Sequence, residues 1–305
     1  MREVARTLAL DLVAADVVHA LREAGVESVL LRGPAVARLY PPGTVRAYVD
    51  VDLLVPPGAL GPAGEALLAL GFERVAEDAE LRGHRPAHAH EWLRLGDGAA
   101  VDLHRTLSGV GAPPAELWDA FARHVEIVLL GGVDVQLPSP AATALGIALH
   151  AAHHGPGRER SLRDLALALE LVPEGTWRAA ADLAGGLDAL PAFGAGLSLL
   201  PAGADLAERL SIPSVMPVEV ALRASGAPPL ALGLDWLLST PGPRAKAGLV
   251  LRTLFPAPGA LRSWRALARR GRSGLVAAYA SHPFWLARHA LPSAIALFRA
   301  RRGGA

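Results

Sequence analysis

Two aspartates one residue apart, Asp50 and Asp52, interrupt the apolar run Tyr48-Val49-Asp50-Val51-Asp52-Leu53-Leu54-Val55. A charge in a segment that would otherwise be buried is costly unless something compensates it, so this run restricts the folds available. Alternate residues of a strand share a face, and on a strand the two carboxylates project side by side. Like charges that close raise each other's energy. They become useful when a divalent cation lies between them. The alternative is a solvated turn at a strand end, against which Val49, Val51, Leu53, Leu54 and Val55 argue.

The surrounding pattern supplies a frame for that strand. Val4, Leu8, Leu12, Ala15, Val18 and Leu21 recur at helical spacing and predict a helix over 3–24, stopped by Gly25. A strand is expected over 26–31, running into Gly33, with Pro34 opening a helix to Tyr40. A helix over 60–70 follows, then strand-like pieces at 72–76, 90–95 and 99–104, the last reading Ala99-Ala100-Val101-Asp102-Leu103-His104. Residues 125–137 predict a β-hairpin turning at Gly131-Gly132. From Pro140 the pattern becomes helical, with helices over 140–154, 159–171 and 176–187 and further ones broken by Pro and Gly. The expected architecture is α+β: a mixed sheet with flanking helices in residues 1–138, then a helical region in 139–305.

Composition narrows the chemistry. With no cysteine, disulfides and thiolate metal sites are excluded. The mean hydropathy of +0.30 raises the question of a membrane span. The longest weakly polar stretch, Ala189 to Ala204, is interrupted by Pro191 and Pro201 and is shorter than the roughly 20 residues a span needs. The N-terminal residues lack a signal-peptide core, so a cytoplasmic protein is expected, peripheral to a membrane at most. After position 240 there are twelve arginine and lysine residues and no acid. This asymmetry suits either packing of residues 241–305 on acidic parts of the protein or an anionic partner, such as nucleic acid or a membrane surface.

Taken in order, Arg32-Gly33, Tyr40-Pro41-Pro42, Arg46, Asp50-Val51-Asp52-Leu53-Leu54-Val55 and Val101-Asp102-Leu103-His104 resemble the uncharacterised bacterial nucleotidyltransferase family of the DNA-polymerase-β-like superfamily. Ala148 to His154 and Ser161-Leu162-Arg163-Asp164-Leu165-Ala166 extend the resemblance to about residue 200. It implies transfer of a nucleoside monophosphate from a nucleoside triphosphate such as ATP to an acceptor hydroxyl, with pyrophosphate leaving. In such chemistry two Mg²⁺ ions about 3.5–4 Å apart stabilise the entering and leaving oxygens. By the same resemblance Asp50, Asp52 and Asp102 are the catalytic metal ligands. Gly33 lets the backbone approach the triphosphate and Arg32 or Arg46 neutralises phosphate, the alternative for Arg46 being a surface arginine paired with Asp50 or Asp52. His104, two residues from Asp102 on the same strand face, either faces the site or has a structural role. The acceptor stays open between a small molecule, a peptide, a protein and RNA.

Two features pull in other directions. The superfamily usually places Ser after the glycine, and Pro34 here removes both its hydroxyl and its N–H. This leaves room for a catalytically impaired binding or regulatory protein on the same fold. Histidines cluster at His84, His88 and His90 and again at His150, His153 and His154. The i, i+4 pair His150/His154 could serve a transition metal. No Glu stands between them as a metalloprotease helix requires, and a helical face lining the cleft is the preferred reading, with His150, His153 or Asp164 contacting ligand.

Overall fold

Alternation along two strands decides how the sheet is sided. The computed structural model describes residues 2–75 and 88–303. Strand β2 (Val51–Leu54) pairs in parallel with β5 (Ala99–His104), matching Val51 to Val101, Asp52 to Asp102, Leu53 to Leu103 and Leu54 to His104. Val51, Leu53, Val101 and Leu103 therefore share one face, and Asp52, Asp102 and His104 the other. The first set enters the main core with Leu10, Val17 and Leu21 of helix α1 (Arg2–Glu23) and Leu67 of α3 (Leu60–Ala69). Burying each large apolar side chain of this kind contributes roughly 1.5–3 kcal/mol. A slip of one residue would exchange them for carboxylates, so the register is tightly specified.

The five-stranded sheet runs β1-β2-β5-β4-β3, with β1 at Val29–Leu30, β3 at Glu73–Arg74 and β4 at Ala89–Arg94. Only the β2–β5 pair is parallel; β1–β2, β4–β5 and β3–β4 are antiparallel. A separate hairpin joins β6 (Glu126–Leu130) to β7 (Val133–Leu137) through Gly131-Gly132. Both glycines have positive φ, as a tight hairpin turn demands. Helix α4 (Pro114–Ala122) has no counterpart in the sequence expectations, although Leu117 and Phe121 on it are buried at i, i+4.

Helix α5 (Pro140–His154) starts at Ser139, whose hydroxyl oxygen accepts from the Ala142 N–H at 3.3 Å. It packs against α6 (Glu159–Leu171), α7 (Glu174–Gly186) and α8 (Leu190–Leu197), and α9 (Pro201–Arg209) packs on α8. These helices belong to one compact unit with the sheet, which takes in 2–75 and 88–214. Position 138/139, the expected boundary, falls inside that unit between β7 and α5. The architecture is α+β: a mixed sheet with flanking helices, followed by a helical C-terminal region.

The second unit includes residues 215–303. Its helices are α10 (Val218–Ala224), α11 (Pro229–Ser239), α12 (Pro243–Leu254), α13 (Pro258–Trp264) and α14 (Gly271–Gly303). A small core of Leu222, Ala231 and Leu297 joins α10, α11 and α14. Arg301 of the basic tail donates to Asp235 on α11 at 3.0 Å. Among the described residues no helix is long and apolar enough to cross a membrane.

Candidate active site

The acidic face of β2 and β5 forms the floor of a cleft of about 230 Å³. Asp50 does not lie on β2 beside Asp52; it occupies the bend just before the strand and is half-buried at the cleft mouth. Asp52 is 4% exposed, and its neighbour across the strand pair is Asp102. His104 follows two residues after Asp102 on the same face, with its Nε2 3.0 Å from Asp52 Oδ1. Among the described residues, Asp52, Asp102 and His104 bring ligand atoms within 4.8 Å of one another. Asp50 stands outside that group but lines the same cleft.

Arg32 lies two residues past β1, and the intervening Leu31 N–H donates to Asp52 O at 2.9 Å. Its guanidinium grips the Asp52 carboxylate with two donors, Nε to Oδ2 at 2.8 Å and Nη2 to Oδ1. The remaining nitrogen, Nη1, donates to His150 Nδ1 on α5. His150 is therefore a neutral imidazole: burial, then the charges of Arg32 and His154, hold its pKa well below the ordinary value. Gly33 turns the chain with φ +63° into the single-turn helix α2 (Pro34–Ala37). A Cβ there would lie 3.3 Å from the ring of Tyr48. Pro34 takes the first helical position, where an N–H would have had no partner in the helix.

Arg46, expected to be near phosphate or to pair with Asp50 or Asp52, reaches a different acid. It donates Nε and Nη2 to the two oxygens of Asp164 on α6 at 2.8 and 2.6 Å, with both side chains 5% exposed. The Tyr40 hydroxyl donates to Asp164 Oδ1 at 2.7 Å. Burial and the hydrogen bond to Asp164 push the tyrosine up to about 12. Three motif residues quoted separately from the sequence thus meet at one point, and of them Arg46 also lines the cleft.

The electrostatics of the floor divide its acids. Burial opposes the charge on Asp52, but Arg32 and the hydrogen bonds from His104 and Arg32 outweigh it and hold the carboxyl far below its usual range. At Asp102 burial and the charge of Asp52 prevail over the opposing influence of His104 and push it up to about 7. Asp50 is raised by burial and by Asp52, with Arg32, Arg158 and His104 acting in the other direction. Oxygen donors crowded this way, with one of them driven toward protonation for want of positive charge, fit a hard divalent cation such as Mg²⁺.

The opposite wall comes from α5. Ala142, Gly146, Leu149, His150 and His153 follow helical spacing into the cleft, with His154 at its end. Imidazole rings form a chain across this wall: His88 and His104 are 5.8 Å apart, His88 and His153 5.4 Å, and His153 and His154 4.8 Å. His84 lies outside the described residues. Arg158 and Arg160, exposed on the cleft rim just past α5, were not singled out from the sequence. Their signal is position alone: Arg158 ends the turn that follows the histidine helix, and Arg160 stands in the first turn of α6.

A family model described as uncharacterised nucleotidyltransferase matches residues 2–202, spanning the sheet, the cleft and α5 to α8. The chain belongs to that family. No curated protein matches this nucleotidyltransferase family member. Two solved structures are similar to it at low identity. One is the antibiotic-resistance factor ANT(2'')-Ia, with 17% identity, a TM-score of 0.42, and coverage of 59% of this chain and 93% of that one. The other is an antigenic nucleotidyltransferase-like protein from Paracoccidioides brasiliensis, with 19% identity, a TM-score of 0.39, and coverage of 69% and 95%.

Proposed function

We propose that this family member moves a nucleoside monophosphate from a nucleoside triphosphate to an acceptor hydroxyl. The carrying observation is the in-register pair Asp52/Asp102 on one sheet face, with Asp50 at the cleft mouth. In the reaction the acceptor oxygen forms a bond to the α-phosphorus as the bond to the bridging oxygen breaks, releasing pyrophosphate. Divalent cations, when bound, would neutralise phosphate charge at the entering and leaving oxygens. Asp50, Asp52 and Asp102 would hold them. Asp102 would also take the proton of the acceptor hydroxyl on a carboxylate oxygen, by resemblance to the superfamily. Arg158 and Arg160 on the rim are placed to meet the triphosphate, since exposed arginines can reorient toward an anion. The sheet core beneath Asp52 and Asp102 keeps the acids in place.

A second reading rests on a specific contact. Arg32 already occupies both oxygens of Asp52, and Pro34 supplies no N–H to phosphate. Such a site suits a binding or regulatory protein that has kept the fold. The two readings separate when the protein is incubated with nucleoside triphosphates labelled at the α-phosphate, Mg²⁺ and a cell extract. Labelled product formed by the parent chain and lost in Asp52→Asn supports transfer. Nucleotide binding by calorimetry with no transfer to any acceptor supports the regulatory reading.

A further inference from the structure

The acidic floor contains one donor that is not an oxygen. His104 is 3% exposed, sits on β5 two residues beyond Asp102, and turns Nε2 toward Asp52. Its other nitrogen, Nδ1, is buried without a hydrogen-bond partner among the described residues. Nε2–H donates to the Asp52 carboxylate, and because no neighbour claims Nδ1, the neutral ring can carry its proton there when a cation takes the Nε2 lone pair. Resting on the nucleotidyltransferase reading, we propose that His104 is a direct nitrogen ligand of its divalent ion. Its site, Asp52–Asp102–His104, accordingly favours a first-row transition-metal ion over Mg²⁺, with Mn²⁺ as the paramagnetic probe of the nitrogen ligand.

The geometry carries this in three ways. Ligands about 2.1 Å from a six-coordinate ion stand about 3 Å apart when adjacent and about 4.2 Å when opposite. The 3.0 Å from His104 Nε2 to Asp52 Oδ1 matches an adjacent pair, and the 4.8 Å envelope of the three residues needs only a small contraction. Arg32 does not block the ion. A carboxylate offers about four lone-pair positions, of which Arg32 takes two, so replacing the His104 proton by a cation leaves the Arg32 grip intact. Finally, imidazole binds later first-row divalent ions better than it binds Mg²⁺, which prefers all-oxygen shells. The alternative role, a histidine that only steadies Asp52 through a hydrogen bond, predicts no metal–nitrogen bond.

The test uses the full chain loaded with Mn²⁺ and read by pulsed electron paramagnetic resonance for nitrogen coupling from a bound imidazole. The expected spectrum shows that coupling in the parent protein and in single Gln replacements of His88, His150, His153 and His154, and loses it in His104→Gln. Mn²⁺ affinity of His104→Gln is expected to fall at least about tenfold, with a smaller change for Mg²⁺. The four other replacements assign the ligand even where His104→Gln fails to fold. Bound Mn²⁺ without nitrogen coupling, or coupling that survives His104→Gln, overturns the proposal and leaves the carboxylate site and the transfer reading standing. Absence of Mn²⁺ binding, with or without a non-hydrolysable triphosphate analogue, overturns both.

Discussion

Among the described residues, the arginine–aspartate pairs Arg46–Asp164 and Arg32–Asp52 have nearly the same local form, and they do different things. Arg46 and Asp164 balance one to one, with Tyr40 completing the shell, and both are sealed from solvent. Arg32 and Asp52 make the same two-pronged contact, but Asp50 and Asp102 stand nearby, so three carboxylates face one guanidinium. The first pair is electrically closed and ties the segment after α2 to α6. The second leaves negative charge over, visible in the upward displacement of Asp102 and Asp50. An ion pair alone therefore says little about function; the surplus around it says more.

That contrast can be broken by experiment. The largest effect is expected for Arg46→Ala, which strands Asp164 in the interior and should cost about 3–5 kcal/mol in urea unfolding. Added Mg²⁺ or Mn²⁺ should restore none of it. Asp52→Asn should leave the fold intact yet reduce nucleotidyl transfer at least about 100-fold, measured by release of pyrophosphate. Arg32→Ala is expected to cost about 1–3 kcal/mol in metal-free buffer. Here millimolar divalent cation should recover most of the loss in thermal melting, which would separate the open pair from the closed one.

A smaller effect concerns pH. Asp102 is raised to about 7 in the folded chain, so between the unfolded carboxyl value of roughly 4 and 7 the native state holds the extra proton. Its contribution to stability is present below about pH 4 and is lost as the pH rises through 7. Cation binding must displace that proton, so Mn²⁺ affinity should climb by up to about tenfold per unit below pH 7 and level off above it. Calorimetric titrations at pH 5.5, 6.5 and 7.5 would check the trend. The smallest change is expected for Gly33→Ala, which forces a positive φ on alanine and crowds Tyr48, costing about 1–2 kcal/mol in the same unfolding assay.

Much of the sheet is legible in the sequence because strand alternation and core burial are local signals. The apolar positions Val51, Leu53, Val101 and Leu103 fixed which way Asp52 and Asp102 would point. Asp50 was misplaced by one structural step, since β2 pairs with β5 only from Val51 and the chain bends before it. Helix α2 is one turn long, shorter than its sequence predicts, and α4 is signalled by Pro113-Pro114 and the Leu117/Phe121 spacing alone. The partnership of Arg46 with Asp164 could not be read at all. The two residues are 118 positions apart, and nothing in either segment names the other. His104 was accessible through its spacing from Asp102, but its distance to Asp52 depends on the register of two strands 50 residues apart.

The Arg46–Asp164 tie also limits modularity. A chain cut after residue 138 would keep every acid of the cleft floor and still lose Asp164, leaving the Arg46 guanidinium in the interior with nothing to answer it. The sheet and the helices behind it must therefore be inherited, expressed and exchanged together. Recombination inside this unit would carry Arg46 across with the floor acids while leaving behind Asp164, the carboxylate that balances it.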